Sequence, residues 1–227
     1  MSIICRSFNL LFIMTPRTAC TALGELLLNQ YGGEYIPEED ILDSNGIFKV
    51  QQKHSTLSQL IENNLISDQE ASEFLKFTTV RNPFDSIVSL YTKKKSKYKP
   101  LLDDPDSWVF KLPDYAEDMK YAQNHSFDAW IFKNYKRSFV KRLLGIKPSM
   151  FGMFTEGMDE IIRFENLQDD FRNLLEKAKI SKKLEIPSVN RTTERKKDYK
   201  QYYSIISKRF IEFIYKQDLK NYGYKFQ

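Results

Sequence analysis

Residues 8–21 read Phe-Asn-Leu-Leu-Phe-Ile-Met-Thr-Pro-Arg-Thr-Ala-Cys-Thr. The run from Phe8 to Thr15 is continuously apolar in its middle, which suits a strand buried in a parallel sheet better than an amphipathic helix. Pro16 ends it. From Thr18 to Tyr31 the apolar residues Ala19, Ala22, Leu23, Leu26 and Leu27 fall at helical spacing, and Gly32-Gly33 closes the segment. A strand that turns abruptly into a helix aims several backbone N–H groups at one spot, where the helix dipole also favours negative charge. Arg17 adds a fixed cation there, and Thr18 and Thr21 add hydroxyls. Pro16, Arg17, Thr18, Ala19, Cys20 and Thr21 are therefore a candidate cradle for phosphate or sulfate. The same residues without a ligand make a Thr-capped helix start with a solvated Arg. No Gly in the chain is followed by Lys, so this is not a Walker A loop.

A second segment has the same form. Phe74–Val80 alternates and is rich in β-formers, which predicts a strand. Asn82-Pro83 breaks it, with Pro83 placed for a first helical turn and a helix running to about Lys95. Arg81 then sits at a strand end and Ser89 about two turns into the helix, where both could reach one anion. Read as fold alone, Ile87, Val88, Leu90 and Tyr91 are core and Arg81 is a surface charge. A short strand is expected at Ile47–Gln51, and helices from Ser55 or Thr56 to Asn64 and from Ser67. Further helices are expected at Phe127–Ser138 and Leu167–Lys179, a strand at Glu160–Phe164, and one long amphipathic helix over Tyr202–Tyr222. Alternating strands and helices imply an α/β sandwich around a mostly parallel sheet. Ser96–Asn124 reads as irregular, with a basic run before an acidic one, and long loops in compact domains carry function.

The bulk numbers agree with a globular protein. The chain has 227 residues, 35 Lys+Arg against 30 Asp+Glu for a net +5, and 41% hydrophobic residues, which excludes a disordered, collagen-like or coiled-coil chain. The +5 allows an anionic ligand without arguing for nucleic acid. Two cysteines, Cys5 and Cys20, are too few for a disulfide scaffold or a zinc site and suit a reducing compartment. No apolar run approaches the ~20 residues of a membrane span. With no signal-peptide cleavage pattern before Pro16, the expectation is a cytoplasmic protein.

Taken together, the two segments resemble the PAPS-dependent sulfotransferases (donor 3′-phosphoadenosine 5′-phosphosulfate), in particular their carbohydrate-type, bacterial-like branch. In that family a Pro-Lys-Thr-Ala-Gly-Thr-like loop after the first strand holds the 5′-phosphosulfate, and a later Arg-Asn-Pro segment with a Ser-Leu-Tyr end holds the 3′-phosphate. Here these are Pro16–Thr21 and Arg81–Tyr91. Lys53-His54-Ser55-Thr56 is similar to the family's His-containing segment. Ile162–Leu167 with Asp170-Phe171 is similar to its strand-to-helix junction, and Tyr202–Phe226 to its C-terminal helix and tail. Three positions depart from the pattern: Arg17 for Lys, Cys20 for Gly, and Ser86 for a common Arg. Arg keeps the charge of Lys and gains a donor fork but cannot give up a proton. Cys20 implies an ordinary helical φ.

The resemblance implies a P-loop-like three-layer sandwich spanning 1–227 as one domain, with about 96–125 as a variable acceptor-side segment. It implies sulfuryl transfer without a metal to a hydroxyl of a saccharide or similar acceptor. Arg17 would stabilise the leaving group, His54 would be the general base, and Arg81, Ser89 and Arg191 would hold the donor. Arg191 leads a basic run with Arg195, Lys196 and Lys197 that otherwise reads as a solvated face. Glu165 is the second base candidate, although its place at a strand end suits positioning Arg163. His125, beside Ser126 at a helix-cap position, reads as structural. Trp108, Phe110, Tyr115 and Tyr121 would wall the acceptor or form a small core. Two other classes stay open: an anion- or polyanion-binding module, and a nucleotide-kinase-like P-loop protein.

Overall fold

The computed structural model describes residues 2–187 and 198–227. The chain divides into two compact units, Met1–Arg81 with Phe151–Arg191, and Asn82–Met150 with Thr192–Gln227. Each is therefore assembled from two separate stretches of chain.

The first unit is mixed α/β. Its strands are β1 (Ser2–Cys5), β2 (Leu10–Ile13), β3 (Glu34–Ile36), β4 (Ile41–Leu42), β5 (Phe48–Val50), β6 (Leu75–Val80) and β7 (Glu160–Arg163). Five of them form one sheet in the order β3-β1-β2-β6-β7. Its centre is parallel: Phe12 of β2 pairs with Phe77 of β6, and Val80 of β6 with Arg163 of β7. The predicted strand at residues 8–15 is thus β2, and its buried, non-alternating composition has the expected cause. Leu10, Phe12 and Met14 pack on one side with Leu23 and Leu27 of α1 (Cys20–Gln30) and with Phe171 and Leu174 of α8 (Leu167–Lys177). Leu11 and Ile13 pack in a separate cluster with Leu60 of α2 (Leu57–Glu62), Ala71 of α3 (Asp68–Glu73) and Phe154 of α7 (Gly152–Thr155). Across the strands Phe12 and Phe77 stack at 4.8 Å.

Two features of this unit go beyond the sequence reading. Residues 2–5 form β1, a strand that the short SIIC tetrad does not announce; it runs antiparallel to both β2 and β3. The predicted strand near 47–51 exists as β5, but it pairs only with β4 in a separate two-stranded sheet. The helix starts follow the predicted caps. Thr56 and Gln59 form a reciprocal capping box on α2, and Ser67 caps α3.

The second unit is helical among its described residues: α4 (Pro83–Thr92), α5 (Tyr115–Asn124), α6 (Phe127–Leu143), α9 (Ile205–Ile214) and α10 (Lys216–Asn221), with short 3-10 and π turns. Phe84, Ile87, Val88, Tyr91, Trp130, Ile131, Ile211 and Ile214 form its core. The single long C-terminal helix expected over 202–222 is instead two helices meeting at Tyr215. Beyond the break Asp218 is buried, accepting from Ser149 Oγ at 2.7 Å and from the Met150 amide at 2.6 Å.

The stretch from 96 to 124 is also more ordered than expected. The basic run forms a π-helical turn over Lys93–Lys97, and α5 occupies Tyr115–Asn124. Lys94 points inward. Its ammonium lies 2.5 Å from Asp118 and 3.8 Å above the Tyr115 ring, and Trp130 Nε1 donates to the other Asp118 oxygen at 2.9 Å. A buried carboxylate held by one cation and one indole N–H is costly to disrupt from either side, because the surviving charge is left unpaired. Asp118→Ala should therefore lower unfolding free energy by about 3 kcal/mol or more in urea denaturation, whereas exposed Lys97→Ala should stay within about 0.5 kcal/mol.

Candidate functional site

β2 delivers the chain to Thr15, and four buried threonine hydroxyls lace the following turn to β6. Thr78 Oγ1 donates to the Ile13 carbonyl at 2.7 Å and lies 2.7 Å from Thr15 Oγ1. Thr18 Oγ1 donates to the Thr15 carbonyl at 2.7 Å and lies 2.5 Å from Thr79 Oγ1. Each hydroxyl has one proton, so the directions are fixed: Thr15 donates to Thr78, and Thr79 donates to Thr18. The Thr18 hydroxyl is consequently committed to the protein, and Thr18 is fully buried. The sequence had suggested that hydroxyl as a donor to the anion.

The lacing supports an unusual backbone. Arg17 (φ 70) and Ala19 (φ 61) both adopt the left-handed region, which non-glycine residues occupy at a cost of order 1 kcal/mol each. Cys20 instead opens α1, the ordinary helical conformation its side chain demands. The bend that a glycine would ease is thus absorbed by the residues on either side of Thr18.

Three cations gather on this turn. Arg17 belongs to it. Arg81, at the end of β6, donates Nη1 to the Arg17 carbonyl at 3.0 Å and lies 4.0 Å over the Phe164 ring, so it braces the turn as well as facing it with charge. The third, Lys53, is one that the sequence did not single out: its Nζ donates to Thr21 Oγ1 at 3.2 Å, in the first turn of α1. The signal available was its adjacency to His54, which drew attention for another reason. Among the described residues no group of three His, Cys, Asp or Glu side chains could hold a metal ion.

His54 also has a left-handed backbone, with φ 75. Its Nδ1 lies 2.8 Å from the Met14 carbonyl, which can only accept, so Nδ1 carries the proton and Nε2 keeps its lone pair. Ser55, next along, is fully buried and hydrogen-bonds Ser2 at 2.8 Å, which anchors the segment on β1. Burial is the main cause that pulls the His54 imidazole down from its ordinary value of 6.5 to about 3, with the nearby Lys53 and Arg17 charges adding to the effect and the Met14 bond opposing it. The folded environment thus makes the imidazole firmly neutral. Its base form is always present, and proton acceptance is held back by the same cations that would be offset by a bound anion.

The remaining candidates lie elsewhere. Ser89 is buried on α4 in the second unit. His125 closes α5 there, its Nδ1 3.0 Å from the Tyr121 carbonyl and its ring stacked on Tyr121 at 3.7 Å, a structural role as expected. Glu165 is exposed in a 3-10 turn after β7, and Arg163 is paired with Asp170 at 3.4 Å rather than left for Glu165 to position. Trp108 packs against Tyr98 and Tyr115, at 5.5 and 5.1 Å, as a small aromatic cluster, and Phe110 is exposed. Arg191 and the basic residues Arg195, Lys196 and Lys197 lie outside the described residues.

A turn of this kind at the end of a parallel strand agrees with what comparison of the whole sequence finds: the family described as the Sulfotransferase family matches residues 1–144. The chain belongs to the sulfotransferase family. No curated protein and no solved structure matches it. The match covers the turn, Lys53, His54, Arg81 and Ser89, and makes this sulfotransferase a transferase of sulfuryl groups. Glu165 and Arg191 lie beyond it.

The depressed imidazole has a sign that can be tested. The unfolded chain takes up the His54 proton below about pH 6.5 and the folded one only near pH 3, so folded-state stability falls as pH drops between these values. Nitrogen-resolved NMR should show the Nδ1–H tautomer with no titration between pH 7.5 and 5. Wild type should also lose about 2 kcal/mol more stability than His54→Gln on acidification from pH 7.5 to pH 5.

Proposed function

We propose that the protein transfers the sulfuryl group of 3′-phosphoadenosine 5′-phosphosulfate to a hydroxyl of a saccharide or similar acceptor, by in-line displacement at sulfur. The observation that carries this reading is the convergence of three cations and a proton-accepting imidazole on one strand-to-helix turn, in a chain of the sulfotransferase family. We place the fold among P-loop-like three-layer sandwiches, with the whole chain acting as one sulfotransferase domain and 96–125 on the acceptor side. Two free, buried cysteines suit the reducing cytoplasm.

The residues divide the work as the chemistry requires. Sulfuryl transfer, like phosphoryl transfer, is largely positioning and charge stabilisation. The amides of Thr18, Ala19, Cys20 and Thr21 and the Arg17 guanidinium hold the 5′-phosphosulfate and take up charge as the bridging oxygen departs. Lys53 supplies at the same turn the ammonium that Arg17 removes from the loop, and with it a transferable proton. Arg81 holds the donor's phosphate, and its bond to the Arg17 carbonyl keeps the loop in shape. The motif alone assigns Ser89 and Arg191 to donor binding. His54 Nε2 accepts the acceptor's proton; the anionic donor offsets Lys53 and Arg17 and raises the imidazole toward competence. No residue in this scheme calls for a metal.

A polyanion-binding module is the second reading, favoured by the same cations. Transfer from isotope-labelled donor across a panel of acceptors separates the two, since a binding module retains the donor and transfers nothing.

Calorimetry and single-turnover kinetics test these roles. Calorimetry should show adenosine 3′,5′-bisphosphate binding unchanged in EDTA; loss on chelation would exclude the metal-free scheme. In single-turnover transfer with saturating substrates, His54→Ala should lose about 10²–10⁴-fold in rate while still binding donor. Arg17→Ala and Lys53→Met should each lose about 10²-fold or more. Ser89→Ala should raise the donor Kd and leave the rate at saturation nearly unchanged, a pattern of ground-state binding. Arg81→Ala should do both, because it removes a phosphate contact and a brace of the turn together.

A further inference from the structure

Between Asp128 and Glu156 the chain carries no acidic residue and six basic ones: Lys133, Lys136, Arg137, Lys141, Arg142 and Lys147. Most of this stretch is α6, and its end is the most apolar exposed spot of the second unit's described surface outside the start of α9. Leu143 is 62% exposed, Leu144 74% and Ile146 52%, with Val140 one turn back at 44%. The turn that displays them is rigid. Gly145, at φ +83, lets its amide bond the Arg142 carbonyl at 3.1 Å and the Ile146 amide bond the Lys141 carbonyl at 3.0 Å, the paired bonds of a Schellman cap.

The fold itself does not need this composition. Cations in the last turn complement the helix dipole, which accounts for Lys141 and Arg142, and Lys133 sits 4.0 Å over the Tyr121 ring, but neither role covers Lys136 and Arg137. In a Schellman cap the residue after the glycine normally packs on the helix, yet Ile146 stays half exposed. On the helix, Phe132, Lys136, Val140 and Leu143 recur at three- and four-residue intervals and so share one side, with Phe132 also exposed. Apolar side chains projecting from a capped helix end, flanked in sequence by cations and no acid, match a surface that is apolar beneath and negative on top. A protein partner would need the same complementarity, but it would not account for the charge of Lys136 and Arg137 behind the tip.

We propose that the C-terminal end of α6 docks on a bilayer rich in anionic phospholipid. Leu143, Leu144 and Ile146 enter the acyl boundary, and Lys133, Lys136, Arg137, Lys141 and Lys147 lie among the headgroups. The helix lies on the membrane and does not span it; no helix among the described residues is long and apolar enough to do so. This inference does not depend on the donor or acceptor assigned above.

The test is co-sedimentation of the full chain with phosphatidylcholine vesicles, with and without phosphatidylglycerol. Wild type should sediment with the mixed vesicles, release as salt rises, and ignore pure phosphatidylcholine. The double variant Leu143→Asp/Leu144→Asp should partition about tenfold less or weaker still. Lys136→Glu/Lys141→Glu should weaken binding by about fivefold or more per cation. All these side chains are exposed, so both variants should melt like wild type, which keeps a loss of binding from being a loss of fold. The proposal is overturned if either variant binds the mixed vesicles as wild type does. It is also overturned if light scattering finds a wild-type dimer that the leucine variant dissolves, since the tip would then be a contact between copies.

Discussion

The single proton of the Thr18 hydroxyl constrains more of this protein than any charge does. By going to the Thr15 carbonyl it closes the turn on itself, and by accepting from Thr79 it ties that turn to the neighbouring parallel strand. Only with the loop so pinned can Arg17 and Ala19 stay in left-handed conformations, and only then does the Arg17 carbonyl face Arg81. The turn is thus preorganised largely by buried neutral hydrogen bonds, with the half-buried Arg81 adding a brace through the Arg17 carbonyl. Such preorganisation is what electrostatic stabilisation of a bound anion calls for.

At His54 one backbone carbonyl sets which ring nitrogen is free, while the surroundings set how readily the ring takes a proton. The Met14 carbonyl accepts from Nδ1 and so leaves Nε2 unprotonated, while burial and the Lys53 and Arg17 charges keep the ring neutral. In the proposed scheme the cations that attract a donor also hold the base in check until the donor arrives, so that binding and proton transfer are coupled by charge.

The sequence made the centre of the first unit legible because β2 and β6 are buried on both sides and end in strong punctuation, Pro16 and Asn82-Pro83. Helix starts were legible where a Ser or Thr side chain does the capping, as at Thr56 and Ser67. What escaped was non-local. β1 is four residues long and becomes a strand only by pairing with both β2 and β3. The split at Tyr215 goes with a carboxylate buried against residues almost seventy positions away. Lys94 stands in a basic run of the sequence, and nothing near it announces the pairing with Asp118, which Trp130 also holds. Lys53 reached the candidate site for the same reason: nothing within a few residues of it says that Thr21 will be its neighbour.

The interleaving of the two units has a consequence for how the protein is made. The first unit needs Phe151–Arg191 to finish, and the second needs the stretch from Thr192 onward. During synthesis β6 emerges with its partner strand β7 still eighty residues behind, since β6 ends at 80 and β7 begins at 160. At roughly 5–20 residues per second, that edge stays open for about 4–16 seconds, presenting unpaired amides and carbonyls next to an apolar face. Nascent chains in that interval are a natural client for chaperones. No stop codon placed between the units would release a half that is complete.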